Sequence, residues 1–189
     1  MAAGSSSRMG SPKALLDWGG QSLLSFQVEK LSGLGIPIHL ILGSESKKVQ
    51  STISDFQGQT DINENWSEGM SSSMAFATEC LDGSEAIVFF LVDQPLIEVA
   101  DLEKLIRIHV ENPQQIIVSR SMEGWSGPPV IFPKKFFQEL MQLSGDLGAK
   151  PLVNKHSDDV IFVELDSSME DMDTPEAYQK LLAKANLRF

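Results

Sequence analysis

The 189-residue sequence predicts a single α/β domain, a sandwich in which helices cover a mostly parallel central sheet. Apolar runs alternate with segments of helical periodicity along almost the whole chain, which is the order typical of β-α-β units. The runs 36–42 and 86–92 are nearly or entirely apolar, as expected for strands buried on both faces of a parallel sheet. Ligands bind such sheets at the carboxyl ends of the strands, so residues that follow a strand are the first candidates for a functional site.

Each element follows from a local pattern. Strands are predicted at 36–42, 61–63, 86–92, 115–119, 130–132 and 160–164. Helices are predicted at 21–34, 44–54, 71–81, 98–111 and 134–143, with a short helix after the turn 144–150 and a final helix from the cap 173–176 to about 185. Gly33 and Gly35 end the first helix, and Asn112-Pro113 ends the fourth. Asp173-Thr-Pro-Glu176 is a typical helix start, because it combines capping side chains, proline in the first turn and an acid near the positive end of the helix dipole.

The composition excludes several classes of partner. A formal net charge of −11 argues against nucleic acid or an anionic membrane surface as the main partner, whereas a small polyanion needs only a local cluster of cations. No apolar run approaches the roughly 18 residues of a membrane-spanning helix, and the N-terminus lacks the apolar segment of a signal peptide. The single cysteine, Cys80, cannot form an internal disulfide, so a cytoplasmic location is expected. Cys80 is interpreted as a small buried apolar residue and His39 as a core or strand-end histidine.

The first segment, Met1–Leu16, combines small residues with positive charge. Its glycines and serines allow the backbone to pass close to a ligand with N–H groups directed at it, and Arg8 and Lys13 add the charge that phosphates attract. We therefore interpret it as a loop that wraps a nucleotide triphosphate, although a disordered N-terminal tail would have a similar composition. Gly69 and Ser73, at the start of a predicted helix, are weaker candidates for phosphate contact. The predicted nucleotide-binding residues are Ala2, Ala3, Gly4, Ser5, Ser6, Arg8, Lys13, Gly69 and Ser73.

Acidic residues complete the candidate site. Asp93 directly follows the strand 86–92, so it emerges at the ligand-binding edge of the sheet, where a carboxylate can hold Mg²⁺. Asp171 and Asp173 precede the last helix, and Asp93 together with Asp173 fits a divalent ion that bridges nucleotide phosphates. Simpler roles are open to each acid, since Asp93 can cap a turn and the later pair can cap the helix or form an acidic surface turn.

Six segments, in order, resemble the MobA-like nucleotidyltransferases. They are AAGSSSRMGSPKALL (2–16), NENWSEGMSSSM (63–74), VDQP (92–95), GWSGPPVIF (124–132), GDLGAK (145–150) and DMDTPE (171–176). The first segment most resembles the molybdenum cofactor cytidylyltransferase branch, since the guanylyltransferase branch usually has Gly-Gly where this chain has Ala3-Gly4. Any one of these segments is a weak signal, but six in order across nearly the whole chain are specific.

This resemblance implies a Rossmann-like three-layer sandwich and a defined reaction. The reaction is transfer of CMP from CTP to the terminal phosphate of molybdopterin, with release of pyrophosphate. Arg8, Lys13 and Asp93 are the implied catalytic residues, and Asp93 with Asp173 is the implied Mg²⁺ site. A contact with a molybdoenzyme or its chaperone, which would receive the product, is also implied.

The sequence departs from the family pattern at three places. The family has an apolar strand before the opening loop, whereas this sequence starts at Met1, so that strand is expected to be missing or reduced to its last residue. Pro128 stands where Asn or His is commoner and Lys150 where Arg is usual, which leaves the acceptor less defined than the nucleotide chemistry. The alternatives are a guanylyltransferase, a sugar- or alditol-phosphate cytidylyltransferase, or a non-catalytic nucleotide-binding domain. The glycine spacing does not match that of P-loop NTPases or of dinucleotide-dependent oxidoreductases.

Overall fold

A computed structural model describes residues 1–6 and 9–186, so the predicted site residue Arg8 lies outside the described part of the chain. The strands are β1 (Asp17–Trp18), β2 (Gln21–Ser22), β3 (His39–Leu42), β4 (Gln59–Ile62), β5 (Ala86–Phe89), β6 (Ile116–Arg120), β7 (Ser126–Pro133) and β8 (Val160–Glu164). The helices are α1 (Leu23–Ser32), α2 (Ser46–Gln50), α3 (Met70–Cys80), α4 (Val99–Glu111), α5 (Phe137–Leu140), α6 (Lys150–Lys155) and α7 (Pro175–Asn186).

Residues Met1–Ala3 join two groups of strands into one sheet. On one side β3 pairs in parallel with β4, and on the other side β5, β7, β6 and β8 are neighbours in that order. Ala2 forms a parallel bridge with Leu42 of β3. The Met1 carbonyl oxygen accepts a hydrogen bond of 3.1 Å from the N–H of Val92, just after β5. The segment therefore lies between β3 and β5, and the loop that follows it starts at the carboxyl edge of the sheet.

The sheet is mixed, because β7 runs antiparallel to both of its neighbours, β5 and β6. A parallel connection needs a crossover of a dozen residues or more, and the link from β6 to β7 is far shorter. It is a tight turn in which the Ser121 N–H donates to the Trp125 carbonyl at 2.7 Å, and Gly124 has φ +88°. Strand β7 also starts four positions earlier than the predicted strand 130–132. The hairpin of β1 and β2, with Gly19 and Gly20 at φ +68° and +90°, was not predicted at all.

Alternating side chains of the sheet face two layers of helices. In β6, Ile116 packs in a cluster with Met74 of α3 and Phe137 of α5. Its neighbour Ile117 belongs to a second cluster with Leu105 of α4. The predicted Rossmann-like three-layer α/β sandwich is therefore confirmed. Among residues 1–6 and 9–186, no helix has the length and apolar character that crossing a membrane requires.

Candidate active site

A cavity of about 480 Å³ lies where Met1–Ala3 and β5 end. Every predicted site residue that the structure describes lines it. These residues are Ala2, Ala3, Gly4, Ser5, Ser6, Lys13, Gly69, Ser73, Asp93 and Asp173. The topology therefore brings the opening loop, the start of α3 and both acidic positions to one place.

The described part of the opening loop is tied into the fold. The Ala3 carbonyl oxygen accepts a hydrogen bond of 3.0 Å from the Ser44 N–H after β3. Ser6 has φ +53°, and its hydroxyl accepts a hydrogen bond of 2.9 Å from the backbone N–H of Lys13. Its carbonyl oxygen accepts another of 2.8 Å from the Met9 N–H. Ser6 thus closes the loop on itself and fixes where Lys13 starts.

Lys13 joins the two predicted metal ligands. Its Nζ lies 2.6 Å from Oδ2 of Asp93 and 2.6 Å from Oδ1 of Asp173. Burial by itself would lower the pKa of Lys13, but the charges and hydrogen bonds of Asp93 and Asp173 raise it above its ordinary value. The lysine therefore stays protonated, and its ammonium occupies the point at which the two carboxylates converge. The sequence pattern assigns Lys13 to the phosphates, whereas in the structure it contacts the two acids.

Asp171 is a third carboxylate in the same cavity, and the residues predicted from the sequence as metal ligands do not include it. Burial, followed by the nearby charge of Asp93, raises the pKa of Asp171 to about 6. The N–H of Met172 donates to the Asp93 carbonyl oxygen at 3.0 Å, which holds the two acidic segments together. Asp171 could have been predicted from the sequence, because it lies two residues before Asp173 in the same loop.

The acidic cluster fits a hard divalent cation. Oδ1 of Asp93 and Oδ1 of Asp171 are buried and have no hydrogen-bond partner among the described residues. Leaving a buried carboxylate oxygen without a partner costs free energy, and a bound cation would supply the missing interaction. The carboxylate-only donor set at this point suits Mg²⁺ or Mn²⁺.

The start of α3 forms the opposite wall of the cavity. Gly69 has φ +106°, and a Cβ there would lie 2.5 Å from the Gly145 carbonyl oxygen and also overlap the Asp146 carboxylate. Only glycine fits this backbone. The Ser71 N–H donates to the same Gly145 oxygen at 3.0 Å, so the loop after α5 fixes the first turn of α3.

Asn63, directly after β4, is a positioning residue to which the sequence pattern alone assigned no role. It is 2 % exposed, and its side-chain amide donates to the hydroxyls of Ser72 and Ser73 at 3.0 Å each. Its Oδ1 accepts from the Asn65 N–H at 2.9 Å. The signal was the same as for Asp93, a polar residue at the carboxyl end of a strand. Asn63 therefore fixes the first turn of α3 where it lines the cavity.

The comparison with known families decides the class of protein. The model of the MobA-like NTP transferase domain matches residues 1–160. The chain belongs to this family. The family predicted from the sequence is thereby confirmed. Membership of this family supports nucleotidyl transfer as the chemistry.

The relatives of this NTP transferase have names that point to different functions. The chain is 27% identical to the nicotine blue oxidoreductase of Paenarthrobacter nicotinovorans, over 96% of this chain and 94% of that protein. It is 26% identical to the purine catabolism protein PucB of Bacillus subtilis (strain 168), over 94% and 91% of the two chains. Among solved structures, that of Rv0371c from Mycobacterium tuberculosis H37Rv in complex with manganese matches with a TM-score of 0.81, at 27% identity over 96% of this chain and 94% of that one.

Family membership supports a nucleoside triphosphate and a phosphate-bearing acceptor as the ligands of this NTP transferase domain. Such transferases generally use a divalent metal, and the manganese complex of Rv0371c is an example among the relatives.

Proposed function

We propose that the chain transfers CMP from CTP to the terminal phosphate of a molybdopterin-type acceptor and releases pyrophosphate, with Mg²⁺ as cofactor. The observation that carries this proposal is the convergence of Lys13, Asp93 and Asp173 in a cavity lined by the small-residue loop 2–6. The choice of CTP is supported by the resemblance of the Ala-Ala-Gly loop to the cytidylyltransferase branch. The reaction belongs in the cytoplasm, where the product would pass to a molybdoenzyme or its chaperone.

In the proposed reaction, an oxygen of the acceptor phosphate attacks the α-phosphorus of CTP. The bond between this phosphorus and the oxygen bridging to the β-phosphate breaks, and that oxygen leaves with the pyrophosphate. The second pKa of a phosphate monoester is near 6, so the acceptor is already mostly a dianion at neutral pH and needs no general base. The work left to the protein is to position the two phosphates and to offset their charge.

The chain's residues divide this work. Asp93 and Asp173, with Asp171 beside them, would hold the metal, which would supply positive charge to offset that of the reacting phosphates. The N–H groups of residues 3–6, and those of the first turn of α3 other than the N–H of Ser71, would hold the β- and γ-phosphates. Lys13 now occupies the place that a cation shared by Asp93 and Asp173 would take. A bound ion would take the place of the ammonium, and Lys13 would then be available to the leaving pyrophosphate.

A thermal-shift series with CTP, GTP, ATP and UTP in Mg²⁺ tests the nucleotide. We expect CTP to raise the melting temperature most, and a preference for GTP would contradict the cytidylyl assignment. Because one relative is named an oxidoreductase, the series includes NADH and NADPH. A shift with these dinucleotides and none with any nucleoside triphosphate would overturn the proposal.

Pyrophosphate release tests catalysis and the acceptor. The chain is mixed with CTP, Mg²⁺ and either molybdopterin or a sugar or alditol phosphate. Release that depends on molybdopterin supports the proposal, and release only with a sugar or alditol phosphate assigns a different acceptor. Binding of CTP without release by any acceptor would indicate a non-catalytic nucleotide-binding domain.

A further inference from the structure

His39, Asp61 and Cys80 come together at a place remote from the nucleotide cavity. Each offers one ligand atom, and the three atoms lie within 4.8 Å of one another. They belong to three different elements, β3, β4 and the last residue of α3. None of them lines the candidate active site.

The fold directs these three side chains to one side of the sheet. Ile41, two residues after His39 and therefore on the same face of β3, packs in the core cluster that includes Met74 and Ala77 of α3. Asp61 is the register partner of Ile41 in the neighbouring strand, so it faces the same way. Helix α3 runs over this face and ends at Cys80. Its 11 residues span about 15 Å, so the cluster lies at the opposite end of α3 from the nucleotide cavity.

We propose that His39, Asp61 and Cys80 form a second metal site, which binds a borderline-soft divalent ion of the Zn²⁺ type. An imidazole nitrogen, a carboxylate oxygen and a thiolate sulfur are a mixed donor set that Zn²⁺ accepts readily and Mg²⁺ does not. With three protein ligands, a water molecule would occupy the fourth position of a tetrahedron.

The local distances and exposure suit this occupant. Zn²⁺ bonds its ligands at about 2.0–2.3 Å, so the donor atoms of a tetrahedral site lie about 3.3–3.8 Å from one another. His39 Nε2 and Asp61 Oδ2, now in direct contact at 2.5 Å, would move apart by about 1 Å to admit the ion. The donor atoms that lie farther apart, up to 4.8 Å, would draw together. The side chain of His39 is 7% exposed and that of Asp61 is 35% exposed, so the cluster is packed on one side and open to solvent on the other.

The local charge also favours a cation. Burial raises the pKa of the Cys80 thiol, and the negative charges of Asp61 and Glu79 raise it further. The same negative charges that oppose a bare thiolate would stabilise a divalent ion. On binding, the thiol gives its proton to solvent and the sulfur bonds the metal as a thiolate.

Cobalt spectroscopy tests this site directly. Co²⁺ substitutes for Zn²⁺, and a bound thiolate produces a ligand-to-metal charge-transfer band in the near ultraviolet. Because Cys80 is the single cysteine, that band can come from no other residue. We expect one Co²⁺ per chain to develop the band in the reduced full chain, and Zn²⁺ to abolish it by replacing Co²⁺.

Ligand variants identify the other two donors. Cys80→Ser should remove the band, and His39→Gln or Asp61→Asn should each weaken Zn²⁺ binding by about tenfold or more. Glu79→Gln is the matched control, because it removes an adjacent exposed charge but no ligand, and it should change the affinity less than threefold. Metal-free melting temperatures close to that of the unchanged chain would show that the variants are folded.

Two outcomes would overturn the proposal. One is the absence of a charge-transfer band at saturating Co²⁺, which would leave His39 and Asp61 as a simple hydrogen-bonded pair. The other is an equal loss of affinity in Asp61→Asn and Glu79→Gln, which would indicate general electrostatic attraction instead of coordination. Neither outcome depends on nucleotidyl transfer, so these experiments test the second metal site independently of the proposed function.

Discussion

The two clusters proposed as metal sites lie at opposite ends of α3 and differ in which groups already contact their acids. At the nucleotide cavity, Asp93 and Asp173 contact the ammonium of Lys13, and Asp171 lies in the same cavity. At the other end, Asp61 pairs with an imidazole and a neutral thiol lies beside it. The first cluster is a set of hard oxygen donors with a built-in cation, and the second is a mixed set of nitrogen, oxygen and sulfur.

From this difference we expect the type of donor and the charge already present, more than the number of acidic side chains, to decide which ion each cluster prefers. In the first cluster an incoming ion would have to displace Lys13, so metal and lysine would compete for the same oxygens. In the second cluster an incoming ion would displace protons instead of a lysine, so its binding would depend on pH and on the state of the thiol.

The largest expected effect is on turnover. Asp93→Asn removes the buried carboxylate that follows β5, and we expect Mg²⁺-dependent pyrophosphate release to fall by about 10³-fold or more because transition-state charge loses its stabilisation. Asp82→Asn, in an exposed turn, is the matched control and should keep full activity. Retained turnover in Asp93→Asn would remove this residue from the mechanism. The cobalt–thiolate band should survive in Asp93→Asn, which would separate the two clusters.

The next effect is on stability without metal. Lys13→Met leaves Asp93 and Asp173 without the lysine cation, and we expect the free energy of unfolding in EDTA to fall by about 2–3 kcal/mol. This value is lower than that for a fully buried pair because the side chain of Asp173 is 42% exposed. Added Mg²⁺ should restore much of the loss. Denaturant titrations with EDTA and with Mg²⁺ measure the difference.

An exposed pair provides the control for the lysine variant. Lys48→Met breaks the surface pair of Lys48 with Glu45 and should leave unfolding unchanged in both buffers. If Lys13→Met lost the same stability with and without Mg²⁺, the competition between lysine and metal would be contradicted.

A smaller effect on stability and CTP binding is expected at the start of α3, which forms one wall of the cavity. Gly69→Ala forces a side chain into φ +106° and against the Gly145 carbonyl, so we expect a loss of about 2 kcal/mol together with weaker CTP binding. Gly83→Ala is the matched control, since a Cβ at that position would have no atom within 4 Å. Thermal unfolding and CTP titration of both variants measure these effects. Equal results for the two variants would show that the first turn of α3 does not depend on Gly69.

The smallest expected effect is the response of the second cluster to magnesium. A large excess of Mg²⁺ should leave the cobalt–thiolate band unchanged, because Mg²⁺ competes poorly for nitrogen and sulfur ligands. The same Mg²⁺ should still stabilise the Lys13→Met variant. Loss of the cobalt band in Mg²⁺ would contradict the division of the two clusters by donor type.

Local patterns were enough to predict most of the architecture. Helix 98–111 corresponds closely to α4, and β5 covers the first four residues of the predicted strand 86–92, because amphipathic periodicity and continuous apolar runs are local properties. The direction of β7 was not predicted, since a short strand has no local signal for the sense in which it pairs. Asp93 and Asp173 were predicted as site residues because Asp93 follows a strand and Asp173 precedes a helix. Their roles, and that of Lys13, remain predictions for the experiments above.

The sequence by itself therefore determined the α/β class, the family and the chemical character of the opening loop and its partner acids. Only the tertiary structure decided that Lys13 lies between acids 80 and 160 positions away, and that His39 and Cys80, both interpreted as structural, meet Asp61. The physical reason is that hydrophobic periodicity and turn chemistry act over a few residues. Contacts between distant side chains follow from strand order and helix placement, which form only when the whole core packs together.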